Sequence, residues 1–210
     1  MKRVACIALC GIVLIAGVAA AACGGGGDDN DATPAATGSP ANNDVPTPFP
    51  TPMLNGNEIT SDSKGYAATL PDGWTPKFNL ISTTNGSADV YFEPQRPGAP
   101  VQANIAVTCI IGDAPPVEER AVGEQTAVAR LGLNENISVD TVRIAGEDAT
   151  AIHYVNTSQQ NPDQPHLDKV DIILDGPACA YKVTTTTLEG ERAQYQPIFD
   201  AFIQSFRLLG

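Results

Sequence analysis

The chain has 210 residues, of which 42% are hydrophobic and 6% aromatic, and its formal net charge at pH 7 is −12. This negative charge argues against nonspecific binding to nucleic acid or to an anionic membrane surface, because both depend on clustered lysine and arginine. Once the N-terminal segments described next are set aside, about 150 residues remain, which is enough for one ordinary domain.

Residues 1–22 have the layout of a secretory signal peptide. The basic pair Lys2 and Arg3 precedes the apolar stretch VACIALCGIVLIAGV, and small residues follow up to Cys23. The tetrapeptide AAAC, residues 20–23, resembles the lipobox of bacterial lipoprotein precursors, whose leader ends in small residues just before a cysteine.

This resemblance implies that diacylglycerol is attached to the Cys23 thiol, that the leader is cleaved before Cys23, and that a further acyl chain such as palmitate is added to the new amino group. The protein would then lie at the cell membrane, lipid-anchored and facing outward. One departure is Ala20, since this position is more often leucine in such precursors. Two other interpretations remain open: ordinary cleavage after Ala22, and an uncleaved span of about 19 residues, which is short for ~30 Å of hydrocarbon.

Residues 23–60 are predicted to form a tether. After Cys23 the segment shows no apolar periodicity and is dense in glycine, proline, asparagine and aspartate, which is typical of flexible linkers. Its run of four glycines lacks the following lysine and serine or threonine that a phosphate-binding loop requires. The sequence therefore predicts one folded extracytoplasmic domain over residues 61–210, held at a distance from its anchor.

The first half of this domain is predicted to consist of short strands beginning near Lys64. Alternating apolar residues and turn signals mark them in the stretches GYAATLPDGW, KFNLIST, SADVYFEP and QANIAVTCIIG. In the last of these, Ile105, Val107, Cys109 and Ile111 alternate with other residues, so we expect them to share one face of the strand.

The second half is predicted to contain two helices and two hairpins. The stretch PPVEERAVGEQTAVARLGLN indicates a helix, and YQPIFDAFIQSFRLL carries an apolar stripe at helical spacing that should pack onto a sheet. Between them, ISVDTVRIAGEDATAIHYV and LDKVDIILDGPACAYKVTTTT each read as a hairpin, turning near Gly146 and Gly176. Runs of strands with few helices predict an α+β fold, an antiparallel sheet with flanking helices, and not a parallel nucleotide-binding sheet.

Three stretches resemble the PsbP-like group of bacterial lipoproteins, relatives by fold of a photosystem II extrinsic subunit. They are AATLPDGW at residues 67–74, RIAGEDATAIHY at residues 143–154 and FDAFIQSFRL at residues 199–208. The resemblance implies a PsbP-like α/β sandwich, in which helices cover a central antiparallel sheet. It also implies a binding or assembly role outside the cytoplasm, without a shared catalytic site.

Cys109 and Cys179 are the two cysteines of the predicted domain, and each falls on the more apolar face of its strand. In an oxidising compartment they could form a disulfide, worth about 4 kcal/mol in the loop-entropy description. The alternative is two buried thiols that act as small apolar residues. They do not make a zinc site by themselves, because the CxxC spacing and a neighbouring histidine are missing.

His153 and His166 are the only histidines, so a histidine-based catalytic or metal scheme has to use one of them. His153 falls in a predicted strand, where a hydrogen-bonded structural histidine is the commoner outcome. His166 lies in the acidic loop NPDQPHLDKVD, which lacks calcium-loop spacing and is better explained as a solvated loop. Trp74 could form a ligand platform, although an aromatic residue beside a sheet edge is more often core. No catalytic residue, metal site or cofactor is predicted.

Three functions remain open at this point. The first is a noncatalytic binding or envelope-assembly domain, tethered to the membrane, whose partner is an envelope protein or a small-molecule ligand and not a nucleic acid. The second is an extracytoplasmic hydrolase or lipid-handling enzyme that uses His153 or His166. The third is a passive spacer. A histidine in a deep cleft beside a carboxylate would favour the enzyme.

Overall fold

A computed structural model describes residues 49–83, 86–130, 134–157 and 163–210. Cys23, the predicted signal peptide and most of the predicted tether lie outside these residues. The prediction of a lipid anchor therefore stays a prediction.

The described residues form eleven β-strands, two α-helices and one short 3-10 helix. The helices are α1, Val117–Arg130, and α2, Arg192–Ser205, and the 3-10 helix is Asp62–Lys64. The strands are β1 Met53–Asn55, β2 Glu58–Ser61, β3 Tyr66–Thr69, β4 Thr75–Thr83, β5 Gly86–Phe92, β6 Asn104–Ile110, β7 Asn134–Ile144, β8 Glu147–Asn156, β9 Leu167–Asp175, β10 Ala180–Leu188 and β11 Arg207–Leu208.

The larger sheet has seven antiparallel strands in the order β4-β5-β6-β10-β9-β8-β7. The two predicted hairpins are confirmed as β7–β8 and β9–β10. The β7–β8 connection is Ala145–Gly146, with φ of 55° and 85°, so both central residues are left-handed, as in the tight turns that suit the twist of a hairpin. In the middle of the sheet, β6 pairs with β10, which comes much later in the chain. After β6 the chain therefore leaves the sheet, forms α1 and returns as β7 at the far edge.

A smaller sheet of four strands, β1-β2-β3-β11, was not predicted from the sequence. Strands β1 and β2 lie within residues 53–61, a segment that falls almost wholly in the predicted tether, so regular structure begins earlier than expected. The sequence signal is weak because these strands are short and Ile59 is the one large apolar side chain that they bury. Ile59 pairs in register with Ala68 of β3.

The main core lies between the α2 side of the seven-stranded sheet, the helix α2 and the smaller sheet. The predicted apolar stripe of α2 is confirmed, since Phe199, Phe202 and Ile203 are all buried. Phe206 is also buried, although the helix ends at Ser205 and Phe206 has extended backbone. Its ring stacks on that of Tyr66 with centroids 5.4 Å apart. This aromatic contact joins the C-terminal end of α2 to β3.

Helix α1 covers the opposite face of the larger sheet. Ile172 belongs to the main core, whereas its neighbour Ile173 packs with Ala121 and Val128 of α1 in a second, smaller cluster. Successive strand residues point to opposite faces, so helices flank both sides of the sheet. The prediction for Ile111 is wrong: β6 ends at Ile110, and Ile111 is 41% exposed. Neither helix of the described region is long and apolar enough to cross a membrane.

Candidate functional site

Cys109 and Cys179 are joined as a disulfide, with Cα atoms 5.3 Å apart. Cys109 lies in β6 opposite Tyr181 of β10, and Cys179 directly precedes β10, so the bridge ties two neighbouring strands of the central sheet. Both residues are buried, at 0% and 5% exposure. The structure therefore favours the disulfide over two free thiols.

His153 lies on β8 with its side chain 40% exposed. Its Nε2 is 3.9 Å from Oδ2 of Asp140, which is itself 69% exposed. Partial burial lowers the pKa of His153, and the nearby Arg192 guanidinium lowers it further. The neutral imidazole is thus favoured near neutral pH, at an open position on the sheet.

His166 is on the surface, in the loop that precedes β9. Its Nδ1 is 3.0 Å from Oε2 of Glu189, and both side chains are more than 40% exposed. Trp74, by contrast, is 7% exposed and its ring packs edge-on against Phe199, with centroids 6.4 Å apart. Trp74 is therefore a core residue and does not form a surface platform. Among the described residues, no group of three or more histidine, cysteine, aspartate or glutamate side chains could hold a metal ion.

A buried ion pair links the 3-10 helix to strand β5. Lys64 Nζ donates to Asp89 Oδ1 at 2.6 Å, and both side chains are completely buried. The same oxygen accepts the backbone N–H of Asn79 at 2.9 Å, and Oδ2 accepts the hydroxyl of Tyr66 at 2.6 Å. The Asp89 carboxylate thus receives three hydrogen bonds, which compensate for its removal from water.

Two tyrosines extend this buried network. Tyr66 donates to Asp89, so its oxygen accepts the hydroxyl of Tyr91, 2.6 Å away. Burial raises the pKa of both tyrosines, which keeps their hydroxyls protonated, and burial also lowers the pKa of Lys64 against the opposing effect of Asp89. Every member has a fixed partner, so the network is structural.

Sequence reasoning missed this network, although one signal was present. In β5 the residues Ser87, Asp89 and Tyr91 alternate onto the face that packs against the main core. A charged residue at a strand position that faces the core needs a buried partner. The partner, Lys64, lies 25 residues earlier in a short 3-10 helix, where the sequence gives no periodic pattern.

The chain offers a candidate ligand site at the end of the β7–β8 hairpin, here called the hairpin pocket. Its volume is about 440 Å³, and it opens between the hairpin turn and the C-terminal end of α2. The lining residues are Arg143, Ala145, Gly146, Ile203, Gln204, Phe206 and Arg207. The lining thus combines two guanidinium groups and a glutamine amide with apolar side chains, of which Ile203 and Phe206 are buried in the main core.

The polar contacts of the hairpin pocket are few. Arg143 donates to the carbonyl oxygen of Gly146 at 2.9 Å, and Arg207 forms an ion pair with Glu58 in which both side chains are half exposed. A second pocket of about 340 Å³ lies near the disulfide, between the end of β6 and the β9–β10 turn. Neither His153 nor His166 lines either pocket.

The two helices and the antiparallel sheets define an α+β fold. More specifically the fold is PsbP-like: it is similar to the solution structure of cyanobacterial PsbP (CyanoP) from Synechocystis, with a TM-score of 0.51 and 14% identity over 74% of this chain and 97% of that one. At this level of identity the similarity establishes the fold, and function has to be argued from the residues.

Two further structures have lower TM-scores. One is a crystal structure from Bacteroides thetaiotaomicron, with a TM-score of 0.49 and 13% identity over 75% of this chain and 50% of that one. The other is LpqN, involved in cell envelope biogenesis of Mycobacterium tuberculosis, with a TM-score of 0.47 and 12% identity over 76% of this chain and 90% of that one. No protein-family model and no curated protein sequence matches the chain.

Proposed function

We propose that the protein is a lipid-anchored, outward-facing lipoprotein of the cell membrane whose folded domain binds a ligand or envelope partner without catalysing a reaction. The observation that carries the binding role is the lining of the hairpin pocket. Arginine, glutamine and apolar side chains can hold a ligand there through hydrogen bonds, charge and apolar contact.

The same lining argues against acid–base catalysis in this pocket. An arginine side chain keeps its proton at all ordinary pH values, and a glutamine amide neither accepts nor releases one. General acid–base catalysis needs a group whose pKa lies near the working pH. The two histidines that could supply one lie on open surface beside exposed carboxylates, which gives the hydrolase or lipid-handling alternative no enclosed site.

The anchoring role rests on Cys23 and on the chain that follows it. Roughly 25 residues separate Cys23 from Phe49, the first described residue, and at ~3.3–3.6 Å per residue they reach at most about 90 Å. Two or more acyl chains, at about 0.8 kcal/mol per buried methylene, would hold the protein on the bilayer stably. The domain could then sample the aqueous layer next to the membrane.

Replacing Cys23 by serine is expected to move the protein from the membrane fraction to the soluble exported fraction, because serine offers no thiol for acylation. Cys10→Ser, which changes a cysteine inside the predicted leader, is the matched control and should leave the protein on the membrane. Fractionation followed by intact-mass measurement gives the readout. A wild-type mass without acyl chains would show that the anchor is wrong. Equal membrane retention of the Cys23→Ser variant would show the same only if its mass proves that residues 1–22 have been removed.

The double variant His153→Gln/His166→Gln is expected to behave like the wild type. Both histidines are about 40% exposed, so we expect the free energy of unfolding to change by less than about 1 kcal/mol. Wild type and variant should both hydrolyse p-nitrophenyl butyrate at the rate of buffer alone. Hydrolysis that depends on either histidine would contradict the noncatalytic proposal.

A further inference from the structure

We infer that the domain rests on the lipid bilayer through four exposed aliphatic side chains, which lie beside the point where the predicted tether enters. They are Met53, Leu54, Leu80 and Ile81, here called the tether-side patch. This inference rests on the proposed lipid anchor and adds a second, noncovalent membrane contact to it. The occupant of the patch is the interface of a phospholipid bilayer, that is, its headgroups and the first methylenes below them.

The patch lies where the chain arrives from the predicted anchor. The carbonyl oxygen of Phe49, the first described residue, accepts a hydrogen bond from Asn79 Nδ2 at 2.9 Å, and Leu80 is the next residue along β4. Met53 is the fourth residue after Phe49, so the two Cα atoms are at most about 14 Å apart. Both halves of the patch are therefore close to Phe49.

Exposed large aliphatic side chains are concentrated in this patch. Among the described residues eight such side chains are strongly exposed, and the patch holds four of them, each between 42% and 61% exposed. The others are spread over the end of β6, helix α1 and strand β7. Single exposed apolar residues are ordinary, whereas a group of them marks an interaction surface.

A bulge in β4 brings Leu80 to the surface. The β4–β5 ladder is interrupted between Lys77 and Ile81, where three residues of β4 stand opposite one residue of β5. Of these three, Phe78 packs against the main core, and Asn79 has a left-handed φ of 52° and bonds to the buried network. The third, Leu80, is left exposed. Bulges at sheet edges commonly re-aim side chains, and this one leaves two adjacent aliphatic residues in solvent.

The local charge suits a lipid surface better than the charge of the whole chain does. Residues 49–55 and strand β4 contain no aspartate or glutamate and one cation, Lys77, which is exposed on the same face of the sheet as Ile81. Glu58, across the β1–β2 turn, is ion-paired with Arg207. An ammonium beside apolar side chains can reach lipid phosphates while those side chains enter the interface.

Pairing with another β-strand fits the patch less well than a bilayer does. Strands β1 and β4 are edge strands, but β1 has only three residues. In β4, Pro76 has no N–H to donate, and the bulge interrupts the row of backbone groups that an incoming strand requires. This edge therefore favours a contact made by side chains alone, which a bilayer interface provides.

The predicted tether makes a weak contact sufficient. Four partly exposed side chains would hold a free domain on a bilayer only weakly. Roughly 25 residues separate Cys23 from Phe49, and a flexible linker of that length has an r.m.s. span of about 25–30 Å. The contact then forms within one anchored molecule, so the patch stays at a high effective concentration beside the lipid.

The test places a tryptophan in the patch and measures how strongly brominated phosphatidylcholine, a short-range quencher, reduces its fluorescence. Ile81→Trp is compared with Val139→Trp. Val139 is the matched control because it is an aliphatic residue, 45% exposed, on β7, the opposite edge strand of the same sheet. Trp74 is buried and gives the same background in both variants.

The anchor is fixed chemically, so that the measurement does not depend on acylation by cells. The full chain carrying Cys6→Ser/Cys10→Ser, produced without acylation, is coupled through the Cys23 thiol to a maleimide lipid in phosphatidylcholine vesicles. Cys109 and Cys179 are joined, so Cys23 is the reactive thiol. A wild-type protein that carries no acyl chains in cells would refute the proposed anchor and leave this measurement of the patch unaffected.

We expect brominated lipid to quench Ile81→Trp at least about threefold more strongly than Val139→Trp, because only the first indole lies in the interface. Adding Met53→Ser/Leu54→Ser/Leu80→Ser to Ile81→Trp should remove most of this difference, since little apolar surface is then left to enter the lipid. Adding Val122→Ser instead, which changes an exposed residue of α1, should leave the quenching of Ile81→Trp unchanged.

Equal quenching of Ile81→Trp and Val139→Trp would overturn the inference. Quenching that survives the three serine substitutions, or that Val122→Ser lowers as much as they do, would overturn it as well. If Ile81→Trp escapes the lipid quencher, and its emission shifts to the blue as protein concentration rises without lipid, the patch binds a second copy of the chain and not a bilayer.

Discussion

Replacing Asp89 by asparagine is expected to lower the free energy of unfolding by about 3–5 kcal/mol. The substitution keeps the size of the side chain and removes its charge, so Lys64 Nζ, completely buried and 2.6 Å from Oδ1, loses its counterion. Breaking one partner of a buried pair costs more than the pair contributes, because a charge is left without compensation. Urea titration followed by tryptophan fluorescence measures the loss, since Trp74 is buried in the same main core.

The matched control is Glu58→Gln, which removes the charge from an exposed pair. Glu58 and Arg207 are each about half exposed, and such pairs contribute about 0–1 kcal/mol. A loss of less than 1 kcal/mol for Asp89→Asn would contradict a charged, buried Lys64. It would mean that Lys64 loses its proton at little cost in free energy. Burial lowers the pKa of Lys64 and so already favours this loss.

The double variant Lys64→Met/Asp89→Asn separates charge from hydrogen bonding. Methionine matches the length of the lysine stem without its charge. The single oxygen of asparagine can still accept the backbone N–H of Asn79, and its NH2 group can donate to the Tyr66 hydroxyl, which then donates to Tyr91. We therefore expect the double variant to be more stable than Asp89→Asn alone. If it is less stable, the hydrogen bonds of Lys64 dominate and its charge does not.

The same network reaches the start of the described chain. Lys64 Nζ lies 5.8 Å from the ring centroid of Phe49, and the carbonyl oxygen of Phe49 accepts a hydrogen bond from Asn79 Nδ2 at 2.9 Å. Asn79 is also bonded to Asp89. The buried ion pair and Asn79 therefore help to hold Phe49, a residue of the predicted tether, against the domain.

The longest patterns in the sequence were the most reliable guides to the fold. Helix α2 and the hairpins β7–β8 and β9–β10 were predicted because each spans many residues with a consistent period and a clear turn signal. The α+β class followed from them, and the more specific PsbP-like fold was implied by the resemblance of three short stretches. Strands β1 and β2 were missed because three or four residues carry too little periodic signal to stand out from a polar linker.

The hairpin pocket could not be predicted from the sequence for a different reason. Its residues come from 143–146 and from 203–207, which are about 60 positions apart and meet only because α2 packs back onto the sheet. In the sequence, Arg143 and Arg207 look like ordinary charged surface residues. Only the packing of α2 shows that they share one rim.

Loss of the disulfide is the second large effect expected for the domain. The bridge between Cys109 and Cys179 closes a loop with a sequence separation of 70, which corresponds to about 4 kcal/mol in the loop-entropy description. For a domain of this size a change of 1 kcal/mol shifts the melting temperature by about 2–4 °C. The variant Cys109→Ala/Cys179→Ala should therefore melt about 8–16 °C below the wild type.

Reduction provides the control that separates the covalent bond from the packing of two sulfur atoms. Dithiothreitol should lower the melting temperature of the wild type toward that of the double variant, and should leave the double variant unchanged. Without reductant, alkylation of the denatured wild type should label neither Cys109 nor Cys179. Labelling of both, with a melting temperature insensitive to reductant, would identify two buried thiols instead. Because disulfides persist in oxidising compartments, that outcome would also remove one support for an extracytoplasmic location.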